Sequence, residues 1–293
     1  MKQIDFCKYL FALLLFGSNG TVASYIDLSS SQIVLLRALI GSIFLIFVFL
    51  VSGKKFTFYK HKKQSFLLLI SGVAMGASWM FLFEAYTRIG VGIASLLYYC
   101  GPIIVMALSP MLFNERLTAV KVTGFGFVFV GIAMLNENAF SGSGDVFGII
   151  CGFSSAALYA LMLICNKKAK DVVGFENSVL QLFTAFLTAA IFIGATEGYD
   201  IKIPTGNILP TLILGLINTG VGCYLYFSSI GQLKVQTVAV CGYLEPLSAV
   251  MLSAFVLKEQ MLPLQILGAV LIIGGAVVCE CKFRYSHRRI FTK

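Results

Sequence analysis

Ten apolar blocks run through this chain, at about 6–26, 30–52, 65–87, 91–113, 119–136, 146–165, 176–196, 209–229, 235–257 and 263–281. They leave few folds open. A segment needs roughly 20 mostly apolar residues to cross the hydrocarbon core of a bilayer. A transmembrane barrel strand would instead alternate in polarity over about 10 residues. Runs such as IGSIFLIFVFLV and GAVLIIGGAVV show no alternation. In lipid, every backbone polar group must find a partner within the structure, so continuous runs of this kind are helices. The expected fold is an all-α polytopic membrane protein of ten transmembrane helices. The chain is 58% hydrophobic and 12% charged, well outside the usual range of a soluble domain. The first block follows Lys2 and Lys8, contains Asn19 and has no clear small-residue cleavage site. It is expected to stay as the first helix and not to be removed as a signal peptide.

The formal net charge is +9, and its placement gives it meaning. With the N-terminus in the cytoplasm, the inner segments hold Lys2, Lys8, Lys54, Lys55, Lys60, Lys62, Lys63, Arg116, Lys121, Lys167, Lys168, Lys170 and Lys234. The tail adds Lys282, Arg284, Arg288, Arg289 and Lys293, while the outer segments hold Arg88, Lys202 and Lys258. Cytoplasmic loops of membrane proteins carry the excess of Lys and Arg. Both termini are therefore expected in the cytoplasm, with 282–293 as a basic tail at the lipid headgroups. This accounts for the basic charge without nucleic acid as a partner.

The second half of the chain repeats the first. Pro102 is followed thirteen residues later by Glu115, and Pro246 thirteen residues later by Glu259. A shift of 144 also carries Phe83 to Phe227, Ser109 to Ser253, Gly124 to Gly268 and Gly131 to Gly275. The expected units are 1–138 and 146–281, each of five helices. An odd number of helices makes the second unit enter the membrane from the opposite side, which gives a 5+5 inverted-topology repeat. Inverted repeats typify secondary transporters, whose substrate sites lie near the midplane where the repeats meet.

Ionisable residues within a bilayer cost at least about 2.5–3.5 kcal/mol each at the helix centre and call for an explanation. Arg37, Glu84 and Glu245 fall in the apolar blocks. Arg37 and Glu245 form a structural ion pair, or are polar groups of a water-filled cavity for substrate or proton coupling, or simply reach the membrane interface. Glu84 lies near the outer end of its block. Asn19, Trp79, Tyr98, Tyr99, Tyr159, Gln181, Asn218, Tyr224 and Tyr243 are the other polar or aromatic candidates. Tyr98, Tyr99 and Tyr243 stand close to Pro102 and Pro246. A proline kinks a helix and frees the carbonyl four residues before it, here those of Tyr98 and Gly242. Aromatic faces beside such a cavity suit a ring or a cation. The glycines of TGFGFVFVG and LGAVLIIGG suit close helix contact.

No catalytic function is expected. The sequence has no G-x-S-x-G, H-E-x-x-H or P-loop pattern. His61 and His287 sit in basic stretches and the eight cysteines lie in or beside apolar segments, without metal-ligand spacing. No structural disulfide, metal or cofactor is called for.

The repeated P-x12-E pattern, the segment WMFLFEAYTRIGVGIASLLYYCGPIIVMALSPMLFNERL and its later counterpart SSIGQLKVQTVAVCGYLEPLSAVMLSAFVLKEQMLPLQILGAVLI resemble the EamA-type transporters of the drug/metabolite transporter superfamily. LLRALIG around Arg37 resembles that family's second helix. The resemblance covers nearly the whole chain and implies alternating access about a central cavity lined by helices such as 1, 3, 4, 6, 8 and 9. It implies Trp79, Tyr98, Tyr99, Tyr159, Tyr224, Tyr243 and Glu245 on or near the cavity wall, with Asn19 and Asn218 as further polar candidates. The repeat departs from symmetry where Gly101 matches Glu245 and where Gln181 matches Arg37. The expected activity is secondary transport of a small organic metabolite, an amino acid or related solute, by export across the inner membrane. The alternatives are a carrier of quaternary ammonium cations, with Glu245 or Glu84 as counter-charge, and a non-transporting receptor. The expected partners are the solute, the bilayer and a coupling proton, for either a monomer or a homodimer.

Overall fold

The structure, a computed structural model, describes residues 2–115, 118–135, 145–196, 198–199 and 201–256. Of the last apolar block it describes 263–264, 266–268, 270–272, 274–275 and 278. Glu259, Cys279, Cys281 and the tail 282–293 lie outside the described residues.

Among the described residues, six helical stretches are long and apolar enough to cross a membrane: Gln3–Ala23, Ser31–Val51, Lys62–Ala85, Val146–Lys168, Phe175–Thr196 and Thr205–Ile230. Among the described residues there is no strand. The elements in order are α1 (Lys2–Gly17), α2 (Asn19–Ala23), α3 (Ser30–Val51), α4 (Lys62–Tyr98), α5 (Cys100–Phe113), α6 (Ala119–Leu135), α7 (Val146–Lys168) and α8 (Phe175–Thr196). There follow α9 (Ile208–Leu212), a π-helix at Ile213–Val221, α10 (Gly222–Ile230), α11 (Val235–Cys241) and α12 (Leu244–Val256). The outside of the bundle is apolar, with Phe11, Phe47, Phe66, Phe153, Ile191 and Phe255 exposed. Polar side chains are inside, among them Ser71, Ser78, Ser155, Asn166, Asn177 and Gln181. This is the distribution a lipid-embedded bundle needs, because hydrogen bonds between helices replace those to water. Asn166 and Asn177 exchange amide bonds of 3.0 and 3.1 Å between α7 and α8.

Two expected spans are each divided. The expected break near residue 88 is absent, since α4 runs on for 37 residues. At 1.5 Å per residue that is about 55 Å, nearly twice the hydrocarbon core. Its packing on α7 shows where it turns. Ser71 donates to the Met162 carbonyl at 2.6 Å and Ser78 to the Ser155 carbonyl at 2.9 Å. Gly148 then lies against Arg88 and Ile89. Beyond that point the order reverses, with Gly152 against Leu97, and Gly101 of α5 against Ala156 and Tyr159. The chain turns back between Ile89 and Leu97 while its backbone stays helical. The helical run breaks instead at Tyr99, three residues before Pro102. Likewise 235–257 is split into α11 and α12 at Gly242–Tyr243, three to four residues before Pro246. Both prolines therefore sit in the first turn of a new helix, where a missing N–H costs nothing. The Gly242 carbonyl, expected to be freed, accepts the Glu245 N–H at 3.2 Å.

Packing partners come in exchangeable pairs. Helix α1 packs on α10 and α12, while α7 packs on α4 and α5; α3 packs on the π-helix, while α4 packs on α8; and α3 crosses α8. Helix α6 meets the last apolar block through glycines. A Cβ at Gly131 would lie 2.6 Å from the Gly268 carbonyl oxygen, and one at Gly275 would lie 2.5 Å from that of Gly124. Small residues let the two backbones touch.

Charged groups tie the ends of the bundle. At one end of α7, Lys167 donates to the carbonyls of Ile230, at 2.8 Å, and of Leu233. There Glu115 accepts the Val235 and Gln236 N–H groups at 2.8 and 3.2 Å, capping α11. At the other end Asp145 accepts the Phe147 and Gly148 N–H groups and pairs with Arg88, which also binds Glu84. Arg88 is pushed above its usual range, first by its bond to Glu84. Asp145 is held below the usual carboxylate range, first by the Gly148 N–H and, with a smaller effect, by Arg88.

Two outcomes follow from this packing. Gly131→Leu is expected to lower thermal stability in detergent by about 1–3 kcal/mol, as an overpacked crossing does, whereas Gly126→Leu, which faces open space, leaves it nearly unchanged. Equal melting temperatures for the two variants would refute the close crossing. Because the Asp145 carboxyl is depressed in the fold, its contribution is present above about pH 4, the unfolded carboxylate value. It is lost as pH falls through the folded value. Hydrogen-exchange protection of the Phe147 and Gly148 amides is expected to fall over that acid range in the wild type. In Asp145→Ala it is expected to be low at every pH.

Candidate functional site

A central cavity of about 60 Å³ is lined by Leu13 and Phe16 of α1, Arg37 of α3, and Met75, Trp79 and Tyr98 of α4. Tyr159 and Met162 of α7, Cys223, Tyr226 and Phe227 of α10, and Glu245 of α12 complete it. Pockets that hold drug-sized ligands measure about 300–1,000 Å³. The cavity is smaller than these, with room for a few waters at about 10–15 Å³ each.

The wall is built from helix irregularities. Helix α1 ends at Gly17, where a Cβ would lie 2.7 Å from the Glu245 carbonyl oxygen and closer still to the Ser248 hydroxyl. Only glycine allows α1 to cross α12 there. The break after Gly17 is held by Asn218 of the π-helix, whose amide nitrogen donates to the Leu15 carbonyl at 3.0 Å, the Ser18 hydroxyl at 2.7 Å and the Asn19 side-chain Oδ1 at 3.1 Å. Its neighbour Thr219 accepts the Arg37 Nε–H at 3.0 Å and donates to the Leu214 carbonyl at 2.8 Å. The Arg37 guanidinium lies 5.0 Å from the centre of the Trp79 ring, within cation–π range. Two adjacent side chains of one π-helix thus fix α1 and the cavity cation together. Such segments recur at functional sites.

Arg37 and Glu245 line the same cavity without forming an ion pair. The Glu245 carboxylate is half-buried and makes no hydrogen bond to a described residue. The structural ion pair, one of the expected arrangements, is therefore not the one present.

A series of rings passes through the cavity. Phe16 and Tyr9 lie 5.8 and 5.5 Å from Tyr226, whose hydroxyl is 3.5 Å from that of Tyr159. Tyr159 meets Tyr98 at 5.4 Å, Tyr98 meets Tyr99 at 5.4 Å, and Tyr99 meets Tyr243 at 6.1 Å. The Tyr243 hydroxyl donates to the Tyr99 carbonyl at 2.8 Å.

The structure thus brings Glu245, Arg37, Trp79, Tyr98 and Tyr159 to one wall. Tyr99 and Tyr243 stand behind it, against Phe125 and Val128. Asn19 and Asn218 hold the α1 break and do not line the cavity. Tyr224 points away and packs on Phe175 at 4.9 Å. Tyr226, two residues on and about 200° round the helix, takes the place expected of Tyr224. Glu84 is bound to Arg88, away from the cavity. Pro102 and Pro246 set the breaks beside it. Gln181, the counterpart of Arg37, is fully buried in α8 with neither end of its amide bonded. Phe16, Met75, Met162, Cys223 and Phe227 carry no polar signal that would single them out in an apolar block, Tyr226 carries the same signal as Tyr224, and Thr219 is one hydroxyl among many.

The model of the EamA-like transporter family matches this chain twice, over residues 6–137 and 146–279. An uncharacterized transporter of Bacillus subtilis, YxxF, is 26% identical over 94% of this chain and 88% of its own length. A probable amino-acid metabolite efflux pump of Escherichia coli is 26% identical over 72% of this chain and 75% of its own. A solved crystal structure shares the fold with a TM-score of 0.83 and 18% identity, over 96% of this chain and 99% of that one. A multi-pass bundle with an apolar exterior and charges in a central cavity, matched by the family over both halves, belongs to the EamA-like transporter family.

Proposed function

We propose that the chain is a secondary transporter that moves an amino acid or related small metabolite out of the cell by alternating access. The observation that carries this is the cavity: Arg37 and Glu245, both inside the membrane-embedded bundle, line one aromatic-walled space without pairing. Buried charges cost free energy unless partnered. A polar solute or water is the partner such a space admits.

Alternating access is supported by the inverted repeat proposed from the sequence. Gly131 meets Gly268 and Gly275 meets Gly124, so each of Gly124 and Gly131 touches the residue 144 positions on from the other. That is the contact pattern of two units related by a two-fold axis in the membrane plane. Tyr99 and Tyr243, also 144 residues apart, meet beside that axis. The double match of the family supports units near 1–138 and 146–281. The Lys and Arg bias supports cytoplasmic termini in the cell membrane. The Glu115–Lys167 end of α7 is then inner and the Asp145–Arg88 end outer. The relative named as an amino-acid metabolite efflux pump supports cargo and direction. A carboxylate with no hydrogen-bond partner in a cavity is also where a coupling proton would load.

The second reading, a carrier of quaternary ammonium ions with Glu245 as counter-charge, is favoured by the aromatic wall. It is opposed by Arg37, whose charge faces the same space. Proteoliposomes loaded with amino acids or with choline-like cations, with and without a pH gradient, separate the two. Amino-acid flux is expected, with Glu245→Gln lowering it at least tenfold and abolishing its response to the gradient. Flux of choline alone would select the cation reading. A bound ligand with no flux of any solute would leave a receptor.

A further inference from the structure

We propose that Arg37 is a carboxylate seat and that Arg37 and Glu245 together form a clamp for zwitterions, a specificity that rests on the transport reading above. The guanidinium is fixed on two sides. Its Nε–H is bound to Thr219 and its face lies against Trp79. Its two terminal nitrogens hydrogen-bond to no described residue, and Arg37 opens onto the cavity. That edge is a planar fork whose N–H spacing matches the two oxygens of a carboxylate. Holding the fork still before the ligand arrives removes part of the ordering cost of binding.

Glu245 of α12 supplies the opposite charge in the same cavity. Two opposite charges in one buried cavity attract strongly, yet the ties to Thr219 and Trp79 on one side and the Gly17 crossing on the other keep them apart. A ligand that carries both charges satisfies both residues at once. A monoanion leaves Glu245 unpaired beside it, and a monocation leaves Arg37 unpaired. Each is penalised by a buried charge with no partner. The clamp therefore selects solutes with an ammonium and a carboxylate on one small frame. The repeat counterpart of Arg37 is the uncharged Gln181 and that of Glu245 is Gly101. The dipole thus has one orientation, and the solute lies across the symmetry axis in one sense.

The test uses the full chain in proteoliposomes and the twenty L-α-amino acids. For each acid that moves, its α-amide removes the carboxylate charge and its des-amino acid removes the ammonium. In the wild type both analogues are expected to move with kcat/KM at least tenfold lower. Arg37→Gln is expected to lower the parent acid by about 10–150-fold and to leave the amide unchanged or faster, so the preference disappears. Arg37→Lys recovers little, because a point charge does not replace the fork. Glu245→Gln has the mirror effect on the des-amino acid. If Arg37→Gln does not fold, Thr219→Val frees the guanidinium while keeping its charge, and is expected to raise KM for the acid without changing it for the amide. Amino-acid flux with an undiminished preference in Arg37→Gln, or in Thr219→Val where that variant stands in, overturns the clamp and leaves the transport reading standing. Choline flux with none of the twenty acids moving overturns both.

Discussion

Where a helix breaks inside a bilayer, the peptide groups at the break have no water to turn to, and each unsatisfied group costs several kcal/mol. This chain breaks two helices side by side, at Tyr99 and at Gly242–Tyr243, and closes the first with a side chain from the second and the second within itself. The Tyr243 hydroxyl takes the Tyr99 carbonyl, while the Gly242 carbonyl takes the Glu245 N–H. A third break, after Gly17, is closed by Asn218. The rest depends on these closures. With them made, α5 and α12 restart beside the cavity, and Glu245 stands on the first turn of α12 facing it.

The charges follow from the same scaffold. Arg37 is kept from Glu245 not by distance along the chain but by better local partners, a hydroxyl on the π-helix and an indole face. The carboxylate is left to the cavity. The ends of the bundle show the opposite treatment. Lys167, Glu115, Arg88 and Asp145 spend their hydrogen bonds on helix termini and on each other. Charge at the ends fastens helices together, and charge at the centre is held open.

The sequence made the bundle legible because apolar length and repeat spacing survive without any knowledge of contacts. The four glycines that the shift of 144 links, Gly124, Gly131, Gly268 and Gly275, are the ones that meet across the bundle. The break positions were less clear. A proline marks a helix restart within about a turn, so Pro102 and Pro246 pointed near, but not at, Tyr99 and Tyr243. Between Ile89 and Leu97 the polypeptide reverses while its backbone stays helical, and a polar gap in hydropathy does not report that. Part of the cavity wall is legible as the polar and aromatic residues that apolar blocks must explain, Arg37, Glu245, Trp79, Tyr98 and Tyr159. Rotation about the helix axis decided the rest. It put Tyr226 in the wall and turned Tyr224 outward, and it made Asn218 a staple.

The Gly17 crossing has an evolutionary consequence. It fixes α12 by its backbone, since what lies against Gly17 is the carbonyl of residue 245 and the small side chain of Ser248. The side chain at 245 bears none of that load. Tyr99 likewise offers its carbonyl, not its ring, to Tyr243. At these two positions the side chain is therefore nearly independent of the backbone contact that holds the frame. A chain built on this plan can change the side chain at 245 and keep the crossing, so the chemistry of the cavity at that point is separable from its architecture.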